Sequence, residues 1–166
     1  MDTRAKQIQE GMRDAMGYVD VQVKVPWDSE KVLSCSFRKL KVREAHSVLY
    51  GCLLPGIKCL RGAFEAFSAD SKEAGPMAIV ESIGDLPDAV SDDKFWSMAE
   101  TLLIGATVDR NEISSLDSFG TDDLFTIYLL VFHAIKVNFP FSKIAPGLVG
   151  KLKSTTEGKA SDNDKS

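Results

Sequence analysis

Two histidines, three cysteines and one acidic group are the side chains of this 166-residue sequence that could do chemistry. His46 and His133 lie far apart, and neither belongs to a His-Glu-x-x-His pattern that would set two imidazoles on one helix face for zinc. His133, inside an apolar run, reads as a packed or hydrogen-bonded core histidine. His46, beside Glu44 and Ser47, reads as surface. Cys35, Cys52 and Cys59 are an odd number without Cys-x-x-Cys spacing, which suits free thiols in a reducing compartment. A Cys–His nucleophile pair needs an activated thiolate, and nothing beside Cys52 or Cys59 supplies one; inert buried thiols are expected. Asp109, Glu112, Asp117, Asp122 and Asp123 crowd one connection, but a calcium loop needs regular ligand spacing and a glycine at the bend. Helix capping and a solvated loop explain them better. The sequence has no Gly-x-Gly-x-x-Gly, phosphate-binding loop, Gly-x-Ser-x-Gly or zinc-finger spacing. No catalytic, metal-binding or cofactor-binding residue is therefore expected, and the chain reads as a non-enzyme.

The elements that hold these groups follow from periodicity. Ala5, Ile8, Met12 and Met16 recur at helical spacing, which predicts an amphipathic helix over 3–16 ending at Gly17. Val19, Val21, Val23 and Val25 alternate with polar residues, as in a half-buried strand. After the turn from Pro26 to Glu30, Val32 to Leu40 reads as the returning strand of a β-hairpin. Val42, Ala45, Val48, Leu49, Cys52 and Leu53 form one helical stripe, broken by Pro55-Gly56. Ile57, Leu60, Phe64 and Phe67 form the next, followed by a polar loop from Ser68 to Gly75. Met77, Val80 and Ile83 suggest a short helix. Ser91, ahead of Asp92 and Asp93, is a helix N-cap with negative charge at the positive end of the dipole. Phe95, Ala99, Leu102 and Leu103 are that helix's buried face. Thr121-Asp122-Asp123 repeats the start signal, and the helix it opens ends near Asn138, since Pro140 disfavours helix at the residue before it.

The last helix carries the most information. Leu124, Phe125, Ile127, Tyr128, Leu129, Leu130, Val131, Phe132, Ile135 and Val137 surround it, so it must be covered on every side. Either it is the centre of the bundle or a partner covers part of it; the central position is the simpler expectation. Its run from Leu124 to Val137 is too short for a membrane span and is interrupted by Thr126, His133 and Lys136. The start, Met1 to Gln7, has no apolar signal-peptide core, which argues against export by that route. From Lys151 on, only Leu152 and Ala160 are apolar, too little to offset ordering entropy. The expected fold is mainly α with a small N-terminal β-hairpin near 19–40 (α+β). It is a compact helical bundle, a single domain over 1–150, with a disordered polar tail over 151–166.

The chain is 44% hydrophobic and 27% charged, in the range of globular proteins. Its net charge of -4 disfavours a protein whose main work is holding phosphates. One basic cluster, Arg38, Lys39, Lys41 and Arg43 beside Phe37, has the composition of a single-strand nucleic-acid contact. A solvated strand end entering a helix, with Phe37 and Leu40 inward, accounts for it more simply. An acidic partner protein would suit it as well.

Three pieces taken in order resemble phage tail assembly chaperones of long-tailed phages. They are Phe37 to Ala45; Leu103-Ile104-Gly105-Ala106-Thr107-Val108-Asp109 with Ile113 and Leu116; and the apolar helix closing on Ile135-Lys136-Val137-Asn138-Phe139. The resemblance spans roughly residues 20 to 145. Lys41 departs from it, standing where a Ser or Thr cap is expected. The resemblance implies a non-enzymatic protein of the infected host's bacterial cytoplasm, absent from the mature virion. Such proteins bind the helical, aggregation-prone tape measure protein and keep it soluble for tail tube polymerisation. The tail tube protein and a second copy of the chain are further candidate partners; no membrane is implied. On this reading the expected partner-binding residues are Phe37, Arg38, Lys39, Arg43, Asn138, Phe139 and Phe141. A structural tail or baseplate adaptor of the virion is the alternative, with a small nucleic-acid-binding regulator less favoured.

Overall fold

Valines alternating with Asp20, Gln22 and Lys24 make β1, Tyr18–Lys24, half-buried on one face only. It pairs antiparallel with β2, Val32–Arg38, in a register that sets Val21 opposite Cys35 and Val23 opposite Leu33. Gly17, at φ 75°, lets the chain enter the hairpin and offers its carbonyl to the Lys39 amide at 2.6 Å. The returning strand stops at Arg38, two residues short of the expected Leu40. The computed structural model describes residues 3–5, 7–8, 17–60 and 77–139. Met12, Met16, Phe64, Phe67, the polar loop over 68–75, Phe141 and the tail over 151–166 lie outside the described residues.

The hairpin is larger than the sequence pattern predicts. Two further short strands, β3 at Thr107–Val108 and β4 at Asn111–Glu112, extend it to a four-stranded antiparallel sheet in the order β1-β2-β3-β4. Their turn places Asp109 and Arg110 at φ 47° and 72°, a left-handed pair built without glycine. Asp109 compensates by a double closure on β2. Its amide donates to the Ser34 carbonyl at 2.8 Å, and its Oδ1 accepts from the Ser34 amide at 2.9 Å.

The helices are short until the end. Helix α1, Val42–Val48, runs into a wide π-type turn over Leu49–Leu53, which buries Cys52 and Leu53 in succession. Val42, expected on the buried stripe, is instead 85% exposed. It is the first residue of α1, ahead of the turn that meets the core. Gly56 then passes so close to Leu86 that a Cβ would collide with it. Helices α2, Ala78–Gly84, and α3, Leu86–Val90, lead to α4, Asp92–Leu103. Ser91 caps α4 as expected, its hydroxyl accepting from the Lys94 amide at 3.3 Å. Helix α5, Leu124–Asn138, packs on α2, α4 and both long strands. Phe37, Phe95, Leu102, Leu103, Leu129 and Leu130 meet in the core with 1% exposure or less.

The start of α5 differs from expectation. Thr121–Asp123 form a 3-10 turn, the helix begins at Leu124, and no side chain caps it. Three short polar residues at a helix start can fold back on themselves as well as cap, and here the tighter turn wins. The centre of α5 is covered: Ile127, Leu129 to Phe132, Ala134 and Ile135 are buried. The central-helix expectation therefore holds for most of its length and fails at the first turn, where Leu124 and Phe125 are 37% and 51% exposed.

Candidate functional site

The titratable groups that might have carried chemistry are placed for packing. Burial, with a smaller contribution from Asp109, pushes the Cys35 thiol up to about 12; burial pushes Cys52 to about 11. A thiol so placed is not a nucleophile near neutral pH. His133 is packed, but its Nδ1 is buried with no hydrogen-bond partner among the described residues. Burial chiefly, and Lys136 secondarily, lowers it to about 4. His46 is exposed and stacks on Tyr50 with ring centroids 4.6 Å apart. No group of His, Cys, Asp and Glu among the described residues could hold a metal ion. No described helix is long and apolar enough to cross a membrane.

The residues expected to touch a partner fall into two sets. Phe37, fully buried, and Phe139, 6% exposed, have their rings in the core. Phe37 is inward because β2 turns one face of the hairpin onto α4 and α5. Asn138 is a clasp. Its Oδ1 accepts from the Leu40 amide at 2.7 Å, and its Nδ2 donates to the carbonyls of Arg38 at 3.3 Å and Ala134 at 3.0 Å. Both ends of its amide are thus occupied within the fold. Arg38 is held in the same corner, with Nη1 2.9 Å and Nη2 3.2 Å from the two Glu44 carboxylate oxygens. Its Nη2 also donates to the Thr101 carbonyl at 3.3 Å. Glu44 in turn accepts from the Lys41 amide at 2.9 Å, so the missing Ser or Thr cap is replaced by the returning half of a capping box. The Arg38 guanidinium and this amide hold the Glu44 carboxyl below its ordinary range. Lys39, Lys41 and Arg43 remain exposed on that corner, next to exposed Val42.

Sequence reasoning missed the other end of α5. Trp27, in the β1–β2 turn, is 44% exposed, and its ring centroid lies 6.2 Å from that of Phe125. Leu124, the residue before Phe125, lines an open groove of about 420 Å³ together with Trp96, Glu100, Leu116, Phe119 and Ile127 among others. Exposed aromatics next to a concave apolar surface are what a protein partner needs for anchoring. A tryptophan in a polar turn, and a phenylalanine in a helix apolar all round, were the available signals.

A family model described as "Phage tail assembly chaperone protein, TAC" matches residues 36–140, from the middle of β2 past the end of α5. The chain belongs to this chaperone family. The matched span holds the Arg38–Glu44 pair, the Asn138 clasp, the groove and Phe125, and leaves Trp27 outside. The family is one of assembly chaperones and not of enzymes, and its work implies protein partners in tail assembly. No curated protein and no solved structure matches the chain significantly.

Proposed function

We propose that this tail assembly chaperone binds the tape measure protein in the host bacterial cytoplasm and keeps it soluble until tail tube subunits polymerise around it. The family match over residues 36–140 carries this reading. The surface is compatible with it. Trp27, Leu124 and Phe125 offer apolar area that no described residue covers fully. The net charge of -4 would help keep a complex with an aggregation-prone helix dispersed. Lys39 and Arg43 are exposed cations for an acidic stretch of the same partner, or of the tail tube protein. Residues 1–150 act as one unit in this reading.

The test is co-expression with the tape measure protein of the same phage, followed by solubility measurement and affinity purification with mass spectrometry. A long helical partner, recovered near stoichiometry and insoluble without the chaperone, is expected. Recovery of this protein from mature particles, bound to tail or baseplate components, would assign it a permanent structural role instead.

A further inference from the structure

We infer that the surface formed by Trp27, Leu124, Phe125 and the adjoining groove docks one kind of occupant: a partner helix with an apolar stripe flanked by Lys and Arg. This inference rests on the chaperone reading and names the chemistry of the helix bound.

The apolar part is specific in shape. Leu124, the first residue of α5, lines the groove together with Leu116 and Phe119, and Phe125, which follows it, carries the tilted ring pair with Trp27. Such an edge and trough accept side chains spaced i, i+3, i+4 and i+7 along a helix. The charge around it has one dominant sign. Glu100 and Asp117 line the groove, Asp122 and Asp123 lie between its residues Thr121 and Leu124, and Asp28 and Glu30 follow Trp27 in the turn. None of these six carboxylates makes an ion pair among the described residues. The turn carries one cation, Lys31. On α4, Lys94 lies close enough to Cys52 to influence its thiol, on the side away from Trp96 and Glu100. Carboxylates left without cations around an apolar trough attract a cationic rim and repel an acidic one.

The chain contains two tryptophans: Trp96 lines the groove, and Trp27 packs on Phe125, the residue after Leu124 of the groove. Intrinsic fluorescence of the full-length protein therefore reports its occupancy without a label. The probes are two synthetic amphipathic peptides of about twenty residues with the same leucine stripe, one flanked by Lys and Arg and one by Glu. The basic peptide is expected to shift the emission and to bind at least about tenfold more tightly than the acidic one at low salt, the ratio shrinking in high salt. Glu100→Lys with Asp117→Lys should shrink the preference several-fold while leaving the circular dichroism spectrum unchanged. Equal binding of both peptides, or no emission change up to about 1 mM, overturns the inference. So does a concentration-dependent dimer abolished by Phe125→Asp, which would make a second copy the occupant. Tighter peptide binding after Lys151→Glu with Lys153→Glu would assign the surface to the chain's own C-terminal segment, and also overturns it. Undiminished recovery of the tape measure protein by the Glu100→Lys, Asp117→Lys variant would sink this inference and leave the chaperone reading standing. Peptide binding without any recovery of the tape measure protein would do the reverse.

Discussion

At its last turn α5 is tied through Asn138 to residues 98 and 100 positions earlier in the chain; at its first turn it begins with two exposed apolar side chains and no side-chain cap. The helix is apolar throughout, so hydrophobicity does not distinguish the two ends. What differs is the supply of covering elements. The hairpin strands and the helix are of similar length: seven strand residues and fifteen helical ones both span roughly 22 Å. Towards the end, α2 and the strand exit close over it. At the start α4, the Leu116 to Thr121 segment and the Trp27 loop approach it, yet they leave a trough and two exposed apolar side chains. One helix thus serves as core at one end and as surface at the other.

The contrast can be broken most severely by a buried charge. Phe132→Asp should abolish cooperative thermal unfolding, because an unpaired carboxylate in the core costs more than about 4 kcal/mol. Phe125→Asp, seven residues earlier on the same helix, should leave the melting temperature nearly unchanged. If both unfold the protein, the first turn is core after all.

Acidity sharpens the same comparison. The folded state holds His133 near 4, below its ordinary 6.5, mainly through burial, so between these values the unfolded chain binds the extra proton. Stability is therefore full above pH 6.5 and lost as pH falls towards 4, by at most roughly 3 kcal/mol. His133→Leu should flatten that part of the profile in denaturant titrations; an unchanged slope would mean that the imidazole is hydrated in solution.

Smaller effects follow from the clasp. Asn138→Ala leaves the Leu40 amide without its acceptor and should cost about 2 kcal/mol, whereas Asn138→Asp keeps that acceptor but loses both donated bonds. Denaturant midpoints should rank wild type above both. Gly56→Ala forces Leu86 aside and should cost about 1–3 kcal/mol. Least of all, Trp27→Ala should alter stability by about 0.5 kcal/mol or less while weakening partner binding, measured by pull-down and by peptide titration.

Where a local pattern determines structure, the sequence was readable. The alternating valines predicted the hairpin, Ser91-Asp92-Asp93 predicted the α4 cap, and Pro140 predicted where α5 ends. Strands of two residues carry no periodicity, and the left-handed Asp109-Arg110 pair lacks the glycine that flags such turns, so β3 and β4 were invisible. Asn138 stood out as part of a family resemblance, yet its task depends on amide and carbonyl groups remote in sequence. Trp27 reads only as a turn residue, because nothing local says that Phe125 will stand beside it. The groove was hidden for the same reason.

The Asn138 clasp also has a meaning for synthesis on the ribosome. The hairpin and α1 emerge early with one face made to be covered, and the helix that covers it is the last described element to leave. Contacts separated by about a hundred residues raise the entropy of closure and slow folding. Until residue 138 is free, Val23, Leu33 and Phe37 lack the part of their cover that α5 supplies, and the nascent chain is for that interval open to aggregation.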